Sequence, residues 1–251
     1  DQTHFVEFLD NVDGDRFAKW LRCQSKLDRT HWVIVSKSGN TIETLTLANA
    51  VHQHLLHESG WGLQTCATVI SEVRENPLTD WARQNGVPIL EIPKDVGGRY
   101  SVLTAVGLLP AAFVGADLEK MRQGALWALA QRELVETLIA QALASFSRNE
   151  WVTLFWSYAD GLRIFGHWMV QLWSESLAKR VDRSGGTALR VSTPIAGIGA
   201  CDQHSVLQQV MEGHHDKFVF FFRVRESESQ GEAIQENLFS GLELMQGKTM
   251  G

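Results

Sequence analysis

The feature that most constrains the fold is a regular alternation between short apolar runs and longer amphipathic stretches. Apolar, β-branched runs at 31–35, 65–71 and 88–92 have the pattern of buried strands, and helical patterns lie between them at 42–56 and 79–86. Strands separated by helices pair in parallel, because the helix carries the chain back to the starting edge of the sheet. The alternation therefore predicts an α/β fold with a parallel sheet and helices on both faces.

Two further elements are predicted before this alternation begins. The segment HFVEFLD at 4–10 has the pattern of a strand. Residues 15–27 predict a helix, with Phe17, Trp20 and Leu21 on one face. Both elements would precede the first buried strand.

The pattern changes after residue 100, where strand signals stop and residues 117–148 show long helical periodicity. Strand patterns return at 151–157, 188–193 and 217–224, with helices predicted at 161–179 and 203–212. The sequence thus predicts a first α/β domain at 1–100, a helical connector at 101–149 and a second, incomplete α/β domain at 150–251. The segment SESQGE at 227–232 is predicted to be a mobile loop.

Composition and charge exclude several classes of protein. Hydrophobic residues make up 44% and charged residues 21% of the chain, as in ordinary soluble globular proteins. The net charge of −6 disfavours binding to a nucleic-acid backbone. No apolar run approaches the ~20 residues of a membrane helix, and the first residues lack the pattern of a signal peptide. We therefore expect a cytoplasmic protein that binds neither nucleic acid nor membrane.

The cysteines and histidines do not form a metal-binding pattern. The 3 cysteines are widely spaced and include no CxxC pair, which predicts a reducing compartment and neither a disulfide framework nor a zinc site. His52, His54 and His57 crowd one predicted helix, but they lack the HExxH spacing. The sequence runs from Asp1 to Gly251 without an initial Met, and we expect it to be a piece of something longer.

The turn SKSGNT at 36–41 joins a predicted strand to a predicted helix, where free N–H groups and the helix dipole favour an anion. Ser36, Ser38 and Thr41 add hydroxyl donors and Lys37 adds a cation. This set suits a phosphate monoester, although it lacks the Lys-Ser/Thr ending of a nucleotide P-loop. A Ser/Thr-rich helix cap without a ligand is the alternative, and the turn by itself leaves both open.

Four segments, in this order along the chain, resemble the glucose-6-phosphate isomerase family, whose domains are of the sugar-isomerase (SIS) type. They are SKSGNTIET at 36–44, DVGGRYSVLTAVGLL at 95–109, QLWSESLAK at 171–179 and DQHSVLQQVMEG at 202–213. The resemblance implies two three-layer α/β/α SIS sandwiches with parallel sheets, of which the second is incomplete. It also implies the interconversion of glucose 6-phosphate and fructose 6-phosphate through a cis-enediol.

The resemblance assigns catalytic roles to three residues. Glu175 matches the base that moves a proton between neighbouring carbons, and burial on an apolar helix would raise its pKa toward working pH. Arg99 matches the cation that stabilises the negative charge of the enediolate. His204 matches the histidine that opens the sugar ring.

The same resemblance implies how substrate is bound. Ser36, Lys37, Ser38 and Thr41 would hold the phosphate, and Gly98 and Gln203 would contact the sugar. No metal or organic cofactor is implied. A homodimer is implied, in which His204 completes the site of the neighbouring subunit.

The sequence departs from the family pattern at Ala178 and at both ends of the chain. Ala178 stands where the family has glycine after Glu-Ser-x. The family's Gly-Gly-Ser turn and its C-terminal lysine segment have no counterpart, so we expect a chain that lacks both ends and turns over slowly or not at all. Two alternatives stay open: a dual phosphoglucose/phosphomannose isomerase, and a non-catalytic SIS regulator that binds sugar phosphate.

Overall fold

The computed structural model describes residues 5–24 and 27–224. The chain divides into two compact units, Asp1–Arg132 and Glu133–Gly251. Each unit contains a three-stranded parallel sheet. The predicted α/β class with parallel sheets is confirmed.

The first unit is built on strands in the order β1-β2-β3. Its strands are β1 (Trp32–Val35), β2 (Ala67–Ser71) and β3 (Ile89–Glu91), and its helices are α1 (Gly14–Cys23), α2 (Ile42–Ser59), α3 (Pro77–Gln84), α4 (Ala105–Phe113) and α5 (Leu118–Ala130). In the register, Ile34 of β1 lies beside Val69 of β2, which lies beside Ile89 of β3. The carboxyl ends of the three strands therefore meet at one edge of the sheet.

The core of the first unit lies between the sheet and the helices α2 and α3. Ile34 and Val69 point to the same face, because side chains alternate along a strand, and they share a buried cluster with Val51 and Leu55 of α2. Leu78 of α3 belongs to the same cluster. Burying this apolar surface fixes where α2 and α3 begin relative to the sheet edge.

The second unit is built on strands in the order β5-β4-β6. Its elements are α6 (Arg132–Ser147), β4 (Val152–Ser157), α7 (Arg163–Leu177), β5 (Thr193–Ile198), α8 (Leu207–Glu212) and β6 (Lys217–Phe222). Phe155 of the central strand is buried, and its ring lies 5.6 Å from the ring of Trp173 on α7 and 5.6 Å from that of Phe220 on β6. The contact with Trp173 holds α7 against the sheet, and the contact with Phe220 joins β4 to β6.

The first predicted strand is wrong. Residues 5–10 are not in a strand, and Phe5 and Phe8 are 79% and 66% exposed. The alternating pattern of this segment therefore does not reflect pairing with a sheet. The predicted helix at 15–27 is present but ends at Cys23, where Gln24 takes up extended backbone.

The strand predicted at 188–193 is wrong except for its last residue, because β5 starts at Thr193 and runs to Ile198. Its hydrogen bonding begins with the Thr193 N–H, which donates to the Trp151 carbonyl at 2.8 Å. The strand contains Pro194, which cannot donate to a ladder and is tolerated because β5 lies at the edge of the sheet. Arg190, inside the predicted strand, stacks on Trp151 instead, with its Cζ 4.0 Å from the ring centroid.

The segment 101–149 is helical, and the structure describes all of it. It holds α4, α5 and α6, and the division between the two units falls at the start of α6. The predicted mobile loop at 227–232 lies outside the described residues. In the part of the chain that is described, none of the helices is both long enough and apolar enough to cross a bilayer.

Candidate active site

The turn 36–41 follows β1 and leads into α2, at the carboxyl edge of the first sheet. Its three hydroxyl side chains form a cluster: Ser36 Oγ lies 2.9 Å and Ser38 Oγ 3.4 Å from Thr41 Oγ1. Thr41 is the N-cap residue of α2, yet its side chain makes no capping hydrogen bond. The hydroxyls are therefore gathered at the positive end of an 18-residue helix, an arrangement that suits an anion.

Gly39 and Asn76 lock this turn to the loop that follows β2. Gly39 has a φ of +66°, and a Cβ built on it would lie 1.8 Å from Asn76 Oδ1. Asn76 is buried and caps α3, because its Oδ1 accepts a hydrogen bond from the Thr79 N–H at 2.9 Å. The Gly39 carbonyl in turn accepts one from the Leu78 N–H at 3.3 Å. Only glycine fits this position.

The Lys37 side chain reaches across the sheet edge to the segment after β3. Its Nζ donates to the Lys94 carbonyl at 3.0 Å and to the Val96 carbonyl, and it lies 3.9 Å from a carboxylate oxygen of Glu72. Sequence reasoning predicted a cation facing phosphate here and missed these contacts.

Arg74, in the loop after β2, is a second cation that sequence reasoning missed. Its guanidinium donates to the Ser38 carbonyl at 3.3 Å. Its position in the sequence indicates that it lies near the turn 36–41, because loops that follow neighbouring parallel strands share one edge of the sheet.

Arg99 lies in a 3-10 turn, Gly98–Leu103, beyond the segment that Lys37 contacts. Its guanidinium carbon lies 4.8 Å from the centroid of the Tyr100 ring. Ser101 Oγ donates to the Gly98 carbonyl at 2.7 Å and closes the turn. A Cβ on Gly98 would meet open space, so packing does not require glycine there.

Glu175 lies in the last turns of α7 and is exposed, so the burial expected for it is not observed. Gln171, one turn earlier, donates to its Oε1 at 3.1 Å. The helix buries the face that carries Trp173, and two residues along a helix turn the side chain by about 200°, to the opposite face. Ala178, at the family's glycine position, has a φ of −74°, which any residue can adopt.

His204 lies in a 3-10 turn, Cys201–His204, that follows β5, and not on the helix predicted at 203–212, of which only Leu207–Glu212 is α-helical. Gln203 Nε2 donates to the Tyr158 hydroxyl at 2.7 Å. Asp202 Oδ2 accepts from the Ile198 N–H, also at 2.7 Å, and so ties the turn to the end of β5. Sequence reasoning did not single out Asp202 or Tyr158.

The structure thus assembles the predicted residues in part. In the first unit it joins the turn 36–41 to the segment before Arg99 through Lys37. In the second unit Glu175 and His204 belong to different elements, α7 and the turn after β5. Among the described residues there is no group of three or more His, Cys, Asp or Glu side chains that could hold a metal ion.

Several groups with displaced pKa values lie on other segments, and Cys66, Asp182 and Asp216 are among them. The pKa of the Cys66 thiol is raised by burial. Hydrogen bonds from Ser184 and Gly186 lower the pKa of Asp182, and the Lys217 ammonium lowers that of Asp216. These shifts belong to structural contacts and do not identify an acid or base of the candidate site.

Two solved structures resemble the chain as a whole. A hypothetical protein from Thermus thermophilus superposes with a TM-score of 0.81 at 34% identity, over 97% of this chain and 59% of that one. A glucose-6-phosphate isomerase from Chlamydia trachomatis gives 0.71 at 26% identity, over 84% and 42%. The parallel-sheet units therefore define an α/β protein of the sugar-isomerase type.

The sequence comparisons identify the family. Its profile, described as phosphoglucose isomerase, matches residues 1–250, so the chain belongs to the phosphoglucose isomerase family. A probable glucose-6-phosphate isomerase of Haloarcula marismortui is 38% identical over 89% of this chain and 50% of its own length. A glucose-6-phosphate isomerase of Thermus thermophilus is 37% identical over 84% and 51%. The chain spans about half the length of the curated relatives that it matches.

Proposed function

We propose that the full-length protein containing this chain interconverts glucose 6-phosphate and fructose 6-phosphate. The observation that carries the proposal is the cluster of Ser36, Ser38 and Thr41 hydroxyls at the start of α2, in a chain of the phosphoglucose isomerase family. Together with the N–H groups of the helix start, these hydroxyls suit three phosphate oxygens. A phosphate held there would fix one end of a six-carbon sugar.

The reaction moves one proton from C2 to C1 and another from O2 to O1, and it needs no redox partner. In the proposed mechanism, the Glu175 carboxylate takes the proton from C2 of the open-chain aldose, and the carbonyl oxygen at C1 takes a proton from solvent, which yields the cis-enediol. Glu175 then delivers its proton to C1 as the O2 proton returns to solvent, which yields the ketose. Arg99 would stabilise the negative charge on the enediolate oxygens.

The remaining residues serve ring opening and binding in this proposal. His204 moves the proton between the ring oxygen and the anomeric hydroxyl, and Gln203 and Gly98 contact the sugar. Lys37 supports the phosphate turn. We further propose a cytoplasmic homodimer in which His204 serves the partner's site, with SIS-type domains at 1–100 and 150–251 joined by a connector at 101–149.

The test is fructose 6-phosphate isomerisation by the full-length protein, coupled to oxidation of glucose 6-phosphate. Glu175→Gln should lower kcat by about 10²- to 10⁴-fold, because an amide cannot accept the proton. Glu212→Gln is the matched control. Glu212 is also exposed near a helix end and also accepts from a glutamine one turn earlier, from Gln208 at 3.2 Å.

Each outcome separates the alternatives. Turnover that collapses in Glu175→Gln and persists in Glu212→Gln supports the reaction and the base. A folded protein that binds fructose 6-phosphate without turnover is instead a sugar-phosphate sensor. Conversion of mannose 6-phosphate at a comparable rate would identify a dual phosphoglucose/phosphomannose isomerase. Full activity in Glu175→Gln would remove Glu175 from the mechanism.

A further inference from the structure

The Lys37 ammonium contacts segments that follow all three strands of the first sheet. Lys37 itself follows β1, Glu72 follows β2, and the Lys94 and Val96 carbonyls follow β3. The ammonium donates to both carbonyls and lies 3.9 Å from the Glu72 carboxylate. One side chain therefore ties together the loops on which the proposed phosphate site and Arg99 are built.

The surroundings of this ammonium strengthen its contacts. The Lys37 and Glu72 side chains are 25% and 13% exposed, so the pair is screened less than one in open solvent. Hydrogen bonds from a charged donor are also stronger than neutral ones. The Glu72 N–H donates to the Lys37 carbonyl at 3.1 Å, which adds a backbone link between the same two loops.

The two carbonyls that Lys37 holds lie just before Arg99. The turn that contains both residues is closed by the Val96 N–H, which donates to the Pro93 carbonyl at 3.1 Å. The next turn is closed by the Tyr100 N–H, which donates to the Gly97 carbonyl at 2.9 Å. Local bonds therefore shape this segment and the turn after it, whereas the Lys37 ammonium connects the segment to the phosphate turn.

We propose that Lys37 is a positioning residue: its ammonium sets the place of Arg99 relative to the phosphate turn, in addition to any charge it offers to phosphate. The inference rests on the proposed function, because the position of Arg99 matters only if Arg99 stabilises an enediolate. Misplacing a catalytic group by about 1 Å can cost about 10²-fold in rate. Loss of the ammonium should therefore lower kcat more than it raises KM.

The experiment compares Lys37→Met and Lys94→Met in the full-length protein. Lys94 is exposed, and its substitution removes the same charge from the same region while keeping the carbonyl that Lys37 uses. In Lys37→Met we expect kcat to fall by about 10- to 100-fold with KM within about threefold. Lys94→Met should stay within about twofold of the wild type in both constants.

Two further measurements distinguish a positioning role of Lys37 from a direct effect of its charge on phosphate and from general destabilisation of the protein. Combining Lys37→Met with Arg99→Gln should cost little more than Arg99→Gln by itself, because both act through the same guanidinium. Amide hydrogen exchange should rise over 94–100 in Lys37→Met and stay unchanged in Lys94→Met. Lys37→Arg, which keeps a cationic donor, should restore part of kcat.

The outcomes that overturn the inference are distinct from failure of the proposed function. A raised KM with unchanged kcat, and costs that add with Arg99→Gln, would make Lys37 a phosphate-binding charge only. Unchanged amide hydrogen exchange over 94–100 in Lys37→Met would show that the Lys37 ammonium does not hold this segment, whatever the turnover. Absence of turnover in the wild type would instead count against the proposed isomerase activity. The exchange measurement would still show whether the Lys37 ammonium holds the segment 94–100.

Discussion

Gly39 illustrates how one residue determines the shape of the candidate phosphate turn. We expect Gly39→Ala to destabilise the protein, because alanine is strained at a φ of +66° and its Cβ would overlap the Asn76 amide. Gly86→Ala is the matched control, since Gly86 has a φ of +68° and a Cβ there meets open space. Backbone strain by itself costs about 1–2 kcal/mol.

Urea unfolding measures both free energies on the same scale. Gly86→Ala should lose only the strain cost, and Gly39→Ala should lose clearly more because the Asn76 cap of α3 must also shift. The difference between the two variants isolates the contact between the loops. Equal losses would show that the loops are not locked by this contact.

Among the elements, the turn after β5 is tied to the end of that strand by the Asp202 carboxylate. The Asp202 side chain accepts from the Ile198 N–H at 2.7 Å, and its backbone carbonyl accepts from the Val206 N–H at 2.8 Å. Asp202→Ala should cost about 1–3 kcal/mol, because it leaves the Ile198 N–H without this acceptor. It should also loosen the turn that carries His204.

The measurement pairs thermal or urea unfolding with kcat in the full-length protein. Asp202→Asn keeps an oxygen acceptor and should retain most of the stability that Asp202→Ala loses. If Asp202→Ala and Asp202→Asn unfold at the same urea concentration as the wild type, the side-chain bond does not hold the turn. A loss of stability without any change in kcat would separate the turn's stability from the role proposed for His204.

The sequence predicts those elements whose apolar side chains are arranged in the pattern of a strand or helix that packs on the core. The strands β1, β2, β4 and β6 are apolar and β-branched or aromatic, and α2 presents Val51 and Leu55 to the sheet at helical spacing, so the sequence pattern locates them. The same pattern does not locate β5, because Pro194 and Gly197 within it are typical of turns. The segment that contains Phe5 and Phe8 shows the opposite error. Its alternating pattern predicts a strand, but both side chains are exposed, since alternation does not guarantee a partner strand.

The sequence predicts which residue types form the candidate site, but it does not predict the contacts that these residues make. The hydroxyl turn is local in sequence, so its residues can be identified directly. The Lys37 contacts join residues 57 and 59 positions apart, and nothing in local spacing indicates them. The exposure of Glu175 also depends on which face of α7 meets the sheet, which the Trp173 contact with Phe155 decides.

For the whole molecule, the central expectation is that sugar phosphate stabilises the folded state through the turn 36–41. Fructose 6-phosphate at about 100 times its Kd should add about 2.7 kcal/mol to the unfolding free energy, and fructose should add far less. Thr41→Val should reduce this gain, because it removes a hydroxyl that lies 2.9 Å from Ser36 Oγ. Since Thr41 makes no capping bond with its side chain, the loss would not arise from helix capping.

Thermal unfolding of the full-length protein with increasing fructose 6-phosphate checks this expectation. Thr46→Val, at an exposed position of the same helix, is the control and should respond like the wild type. A full response in Thr41→Val would remove that hydroxyl from the phosphate site. An equal response to fructose would show that the phosphate is not what the protein recognises, because a site built from hydroxyls and a helix start should favour the charged ligand.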